Sequence, residues 1–98
     1  MKIVAVTACP TGIAHTYIGA AKLEKAAKEL GHEIKVETQG AMGVENRLSD
    51  EDIRQAQAAI LAIDIAIEGR ERFDGLKTVE VRLQEAIKDT NGLFNKLK

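Results

Sequence analysis

The single cysteine of this 98-residue chain, Cys9, sits in the segment "VTACPTGIAHTYIG", residues 6 to 19, directly before the single proline, Pro10. An ordinary thiol titrates near about 8.5, so little of it is the nucleophilic thiolate at neutral pH. A helix starting within a few residues points unpaired amide N–H groups and its positive dipole end at the sulfur, which favours the ionised form. The same amides can hold a phosphate. Pro10 lacks an N–H and stiffens the turn, and Gly12 lets the backbone approach a ligand closely. The candidate cradle runs through Thr11, Gly12, Ile13, Ala14, His15 and Thr16, with two threonine hydroxyls and an imidazole as further donors. A nucleophile and an oxyanion cradle in one loop suit covalent phosphoryl transfer through a thiophosphate, with Cys9 as the catalytic residue.

The bland alternative is a cysteine packed as a small hydrophobe. His15 alone suits a capping or packing role as well as a chemical one, and His32 reads as a solvated residue after a helix stop. Two distant histidines and one cysteine make no metal site, and no cofactor is expected. Asp64 and Arg72 can each line a cleft or serve a loop. Neither G-x-G-x-x-G nor G-x-x-x-x-G-K follows the first apolar run.

The elements that must position Cys9 alternate between strand and helix. Ile3 to Val6 is a continuous β-branched run, as in a strand buried on both faces. Ala20, Leu23, Ala27 and Leu30 then recur at helical spacing opposite a lysine-rich face, with Ile18 and Gly19 as weak helix formers and Gly31 as the stop. "HEIKVET" alternates, which predicts an edge strand with Ile34 and Val36 covered and Glu33, Lys35 and Glu37 on the other side; "QGAMG" reads as a loop. Ser49 and Asp52 form a capping box, with Leu48 and Ile53 as its staple, for a helix of two turns through Gln57. Ala58 to Ile65 is a second central strand carrying Asp64. "EGRERFDG" is a charged loop or short helical turn, and "KTVEV" is a fourth strand. A helix from Leu83 should break at Asn91-Gly92. The expectation is one α/β domain over residues 1–98: a small three-layer sandwich with a four-stranded parallel sheet in the Rossmann-like or flavodoxin-like order 2-1-3-4. Ligands of such sheets sit beyond the carboxyl ends of the central strands, where Cys9 falls.

Fourteen basic against fifteen acidic side chains give a net charge of −1, which argues against nucleic acid as a partner. One cysteine makes no internal disulfide and suits a reducing cytoplasm. No stretch approaches membrane-span length, so no direct membrane insertion is expected.

From Lys2 to about Ile65 the sequence closely resembles the IIB component of the fructose-specific branch of the bacterial phosphoenolpyruvate:sugar phosphotransferase system (PTS), most distinctively in "CPTGIAHT" and "ETQGAMGVEN". The likeness weakens through "DIAIEGRERFDG". It implies that Cys9 accepts a phosphoryl group from the phosphohistidine of a IIA domain. The group then passes to a sugar, fructose by default, held by a membrane-embedded IIC domain. The chain would thus work in the cytoplasm at the inner membrane face. It also implies that residues 11 to 16 bind the phosphate and that Thr38-Gln39-Gly40 borders the site; Gln39 and Asp64 are the candidate border side chains.

The rival from another class is a low-molecular-weight tyrosine phosphatase-like hydrolase, whose pattern is Cys, five residues, Arg, then Ser or Thr. Here the Arg position is His15, followed by Thr16. His cannot clamp a phosphate with a bidentate fork. A redox protein would need a second thiol, and the chain has none.

Overall fold

A computed structural model describes residues 1–10, 13–40 and 43–97, with the backbone alone for Ile13. The two continuous apolar runs become β1 (Lys2–Ala8) and β4 (Ala58–Ile63), paired in parallel from Ile3 opposite Ala58 to Ala8 opposite Ile63. Both lie inside the sheet, which is why neither alternates with polar residues. The strand β2 (Glu33–Gly40) pairs with the other side of β1, and β5 (Lys77–Val81) with the far side of β4. These four parallel strands stand in the expected order.

The sheet has a fifth strand that the sequence did not suggest. β3 (Gly43–Glu45) folds back antiparallel on β2, giving the order β3-β2-β1-β4-β5. Two expectations are corrected by it. β2 is not an edge strand, and "QGAMG" is not simply a loop, because Gln39 and Gly40 end β2 and Gly43 begins β3. Gly43 has φ 86°, a left-handed backbone that other residues adopt only with strain.

On one face lie α1 (Ile13–Glu29), α3 (Leu83–Lys88) and α4 (Thr90–Asn95). Their core joins Ile3, Ala5, Leu23, Ile60, Leu83 and Phe94. The other face carries α2 (Asp50–Gln55) and a 3-10 turn, Arg70–Phe73, over Val4, Val6, Leu48, Leu61 and Phe73. This is the three-layer arrangement.

Local signals explain the helix ends. Gly31, at φ 79°, closes α1 with the paired bonds His32 N to Ala27 O (2.8 Å) and Gly31 N to Lys28 O (3.2 Å), a Schellman end. Leu30 does not join the core but is exposed, because the core-facing side of the last turn is supplied by Ala26 and Ala27. Gly19 is explained by packing: a Cβ there would stand 2.5 Å from Leu83 Cδ1, so its hydrogen lets α3 sit close on α1. Ser49 caps α2 through the reciprocal box with Asp52, and Leu48 and Ile53 share one apolar cluster, although α2 ends at Gln55 rather than Gln57. The last helix breaks at Asp89, not at Asn91-Gly92. Asp89 ends α3 and its carboxylate accepts from the Gly92 amide at 3.1 Å, starting α4 anew.

Candidate functional site

β1 and β2 are parallel, and α1 connects them, so α1 must run back along the sheet. Its amino end therefore meets the carboxyl end of β1, where Cys9 emerges. No acidic side chain occupies the first turn of α1, whereas the first turn of α2 holds Asp50, Glu51 and Asp52. The first turn of α1 thus carries no acidic side chain to offset its positive end, which favours an anion there.

The junction is pinned by side chains. The Thr7 hydroxyl donates to the Thr16 carbonyl at 3.0 Å, both residues being buried, which ties the first turn of α1 to β1. Gly40 closes the flank: a Cβ on it would lie 3.4 Å from the Thr16 hydroxyl. Thr38, level with Thr7 in the β1–β2 register, is 3% exposed and its hydroxyl has no hydrogen-bond partner among the described residues. An orphaned buried hydroxyl is uncommon. Here it lies on the α1 side of the sheet, two residues short of the level of Cys9.

The predicted site residues divide as follows. Cys9 is 4% exposed and belongs to the α1-facing core cluster, so its thiol is sheltered, more than a solvent-facing nucleophile would be. Thr16 is buried beside it in the same junction, while Ala14 and His15 are exposed on the first turn of α1. Thr11 and Gly12 lie outside the described residues, as does the side chain of Ile13.

Gln39 and Asp64 both meet Ala8, the residue before Cys9, through the backbone. Gln39 stands opposite Ala8 in the register, and the Asp64 amide donates to the Ala8 carbonyl at 3.0 Å. Their side chains have structural partners. One Asp64 carboxylate oxygen accepts from the Leu83 amide at 3.0 Å, capping α3. Gln39 accepts from the Glu68 amide at 2.9 Å and donates to the Glu68 carbonyl at 3.1 Å.

The sequence missed Glu37. Expected on an open face, it is fully buried, and its oxygens take four bonds: Leu48 N (2.9 Å) and Arg72 Nη1 (3.0 Å) on one, Gln39 Nε2 (2.7 Å) and Arg72 Nη2 (2.9 Å) on the other. Burial works to raise this carboxyl, but the bonds from Arg72, Gln39 and Leu48 outweigh it, and it titrates below the ordinary glutamate range. The hydrogen bonds to Glu37 likewise raise Arg72. Arg72, ambiguous in sequence, is thus committed to Glu37 and to the loop carbonyls of Gly69 (2.7 Å) and Glu68 (3.1 Å). On the opposite face, the exposed Tyr17 hydroxyl of α1 donates to the Glu45 carboxylate of β3, which raises its pKa and links the β3 hairpin to the helix.

Fold and site together define an open, mostly parallel α/β protein with one thiol between a central strand and the amino end of its crossover helix. A family model described as PTS system, Lactose/Cellobiose specific IIB subunit matches residues 4–96. The "PTS system fructose-like EIIB component 2" of Escherichia coli K12 is 50% identical over 99% of this chain and 92% of its own length. The "Fructose-like PTS system EIIBC component" of the same strain is also 50% identical over 99% of this chain, which covers 20% of that longer protein. Among solved structures, a domain of a fructose-specific IIABC component from Borrelia burgdorferi superposes with TM-score 0.93 at 47% identity, over 97% of this chain and 90% of that one. An enzyme IIB subunit of the PTS from E. coli K12 gives TM-score 0.91 at 44% identity, over 98% and 89%. The chain belongs to the PTS IIB family.

Proposed function

We propose that this chain acts as a single-domain phosphocarrier in which Cys9 holds the phosphoryl group between two partners. A phosphohistidine on a IIA domain is the donor: the Cys9 thiolate attacks phosphorus, the S–P bond forms as the N–P bond breaks, and the imidazole leaves, taking one proton from solvent. A sugar hydroxyl, presented by a membrane IIC domain, then attacks the same phosphorus. The S–P bond breaks, the thiolate is regenerated, and the hydroxyl proton passes to solvent. No metal or cofactor is required by this exchange. The carrying observation is the placement of Cys9 between the end of β1 and the amino end of α1, whose first turn holds no acidic side chain, in a chain of the IIB family.

The cradle assigned to the phosphoryl oxygens runs from Thr11 and Gly12 through the amides of Ile13, Ala14, His15 and Thr16. Amides fixed in place stabilise charge developing on those oxygens without reorganising. The low exposure of Cys9 suits a carrier, because water must be kept from the thiophosphate. Fructose as the sugar is supported by the fructose-like names of the relatives. The fused EIIBC relative supports a IIC domain as one partner. Among the described residues no helix is long and apolar enough to cross a membrane. The assignment of the chain to the cytoplasmic face, beside a membrane IIC domain, is supported by the fused EIIBC relative.

A phosphatase-like reading finds no support at the clamp position. His15 stands there, and the fork of Arg72 is engaged by Glu37.

The reading is tested by reconstitution. Phosphorylated IIA domain, this chain and membranes carrying the IIC domain should yield fructose phosphate, and Cys9→Ser should abolish it. Undiminished product with Cys9→Ser would overturn the assignment.

A further inference from the structure

The segment 64–69 takes an unusual path. It leaves β4 at Asp64, whose amide bonds to Ala8 of β1. By Glu68 it is held through both backbone groups by Gln39 of β2. Because β1 lies between β4 and β2, this segment crosses the carboxyl end of β1. Adjacent strands are about 4.8 Å apart, so the crossing spans roughly 10 Å. Gln39 and Glu37 pair with Ala8 and Val6, on the face opposite α1. Cys9 therefore leaves the sheet between two covers: α1 on one side and the 64–69 strap on the other.

What holds the strap is the ion pair beneath it, between buried Glu37 and part-buried Arg72. The Arg72 guanidinium grips the carbonyls of Glu68 and Gly69 while its fork is seated on both oxygens of Glu37. Glu37 in turn orients Gln39 and anchors the Leu48 amide. Each oxygen of the Glu37 carboxylate accepts two bonds in this network. Ile65, exposed on the strap, stands on the end of the sheet from which Cys9 must be reached.

We propose that Glu37 and Arg72 are positioning residues for phosphoryl transfer at Cys9, fixing the strap as the wall against which the phosphorylated donor domain seats. This rests on the phosphocarrier reading. Neither side chain touches the phosphoryl group; they act through the shape of the strap. A buried ion pair is seldom the cheapest way to stabilise a core, since apolar residues of similar volume often do as well. Its advantage here is directional: a planar fork and a carboxylate set the strap to one register, which apolar packing would not.

The test uses two variants of the full chain. Arg72→Lys keeps the charge and loses the fork; Glu37→Leu with Arg72→Met replaces the pair with apolar volume, so that no lone buried charge unfolds the protein. Transfer from phosphorylated IIA domain is measured over a range of donor concentrations, alongside amide hydrogen exchange. The expected result is a KM for the donor raised about tenfold, with the maximal rate per folded molecule changed less than about twofold, because donor seating is lost and the chemistry at sulfur is kept. Exchange at residues 65–69 should quicken in both variants while β1 and α1 keep their protection. A merely structural role would lower the maximal rate with the folded fraction and leave KM alone; that outcome, or unchanged strap exchange, overturns the proposal. Wild-type chain that takes no phosphoryl group would overturn the phosphocarrier reading and this inference with it, whereas normal wild-type transfer with unaltered variants overturns this inference alone.

Discussion

The Thr7 hydroxyl bonds to the Thr16 carbonyl across 3.0 Å, joining the last turn of strand before Cys9 to the first turn of helix after it. Both residues are buried, so the bond is screened from competing water. Thr7→Val keeps the shape and removes the donor. It should destabilise the fold by about 1 kcal/mol, the usual net value of one such bond. Urea unfolding measures it, and a variant as stable as the wild type would show that the junction is held by packing alone.

Asp64 separates a structural from a chemical role at the site border. Its carboxylate caps α3 through the Leu83 amide. Asp64→Ala should cost about 1 kcal/mol, as for other lost helix caps, while Asp64→Asn, which keeps an acceptor, should cost less. Transfer from the donor domain should survive in Asp64→Asn. Its loss in a folded Asp64→Asn protein would mark Asp64 as an acid or base of the reaction instead.

Acid should weaken the fold through carboxylates whose pKa is depressed on folding. The hydrogen bond from Lys35, then those of Ser49, lowers Asp52 to about 2. Its unfolded value is about 3.9, so its stabilisation is complete above that pH and is lost as pH falls towards 2. Buried Glu37 adds a loss of the same sign below the ordinary glutamate range. Asp52→Asn should therefore flatten the stability-against-pH curve between about pH 4 and pH 2. An unchanged slope would show that the Lys35 contact does not persist in solution.

Cys9, at 4% exposure, should discriminate thiol reagents by size. Iodoacetamide should modify the native chain faster than a bulky aromatic disulfide does, and denaturant should remove the difference. Equal rates in the native state would mean an open sulfur.

Aryl phosphates should be turned over negligibly. A thiol hydrolase needs a cation to clamp the transferred group, and His15 occupies that place while Arg72 is held by Glu37. Steady phenol release dependent on Cys9 would favour the hydrolase.

The order of the parallel sheet was readable because Ile3 to Val6 and Ala58 to Ala62 are continuous apolar runs, a pattern only doubly covered strands require. The α2 cap was readable because Ser49 and Asp52 are three residues apart. Glu37 was not. Its burial depends on Arg72, 35 residues away, and alternation along β2 placed a charge there as if water would meet it. β3 escaped for a similar reason: three residues carry too little pattern, and what holds them is pairing with Thr38, Gln39 and Gly40. The break at Asp89 was hidden by Asn91-Gly92, a strong turn signal that here falls in the first turn of a helix capped by Asp89. At the site, the strand–Cys9–helix junction followed from residue types, whereas the shelter of the sulfur depends on how α1 and the sheet close around it.

The central claim is that the sulfur of Cys9 carries the phosphoryl group. Phosphorus NMR and peptide mapping of the chain after incubation with phosphorylated IIA domain test it directly. One phosphoryl group on the Cys9 sulfur, absent from Cys9→Ser, is the expected result; phosphate on His15, or equal labelling of Cys9→Ser, would contradict it.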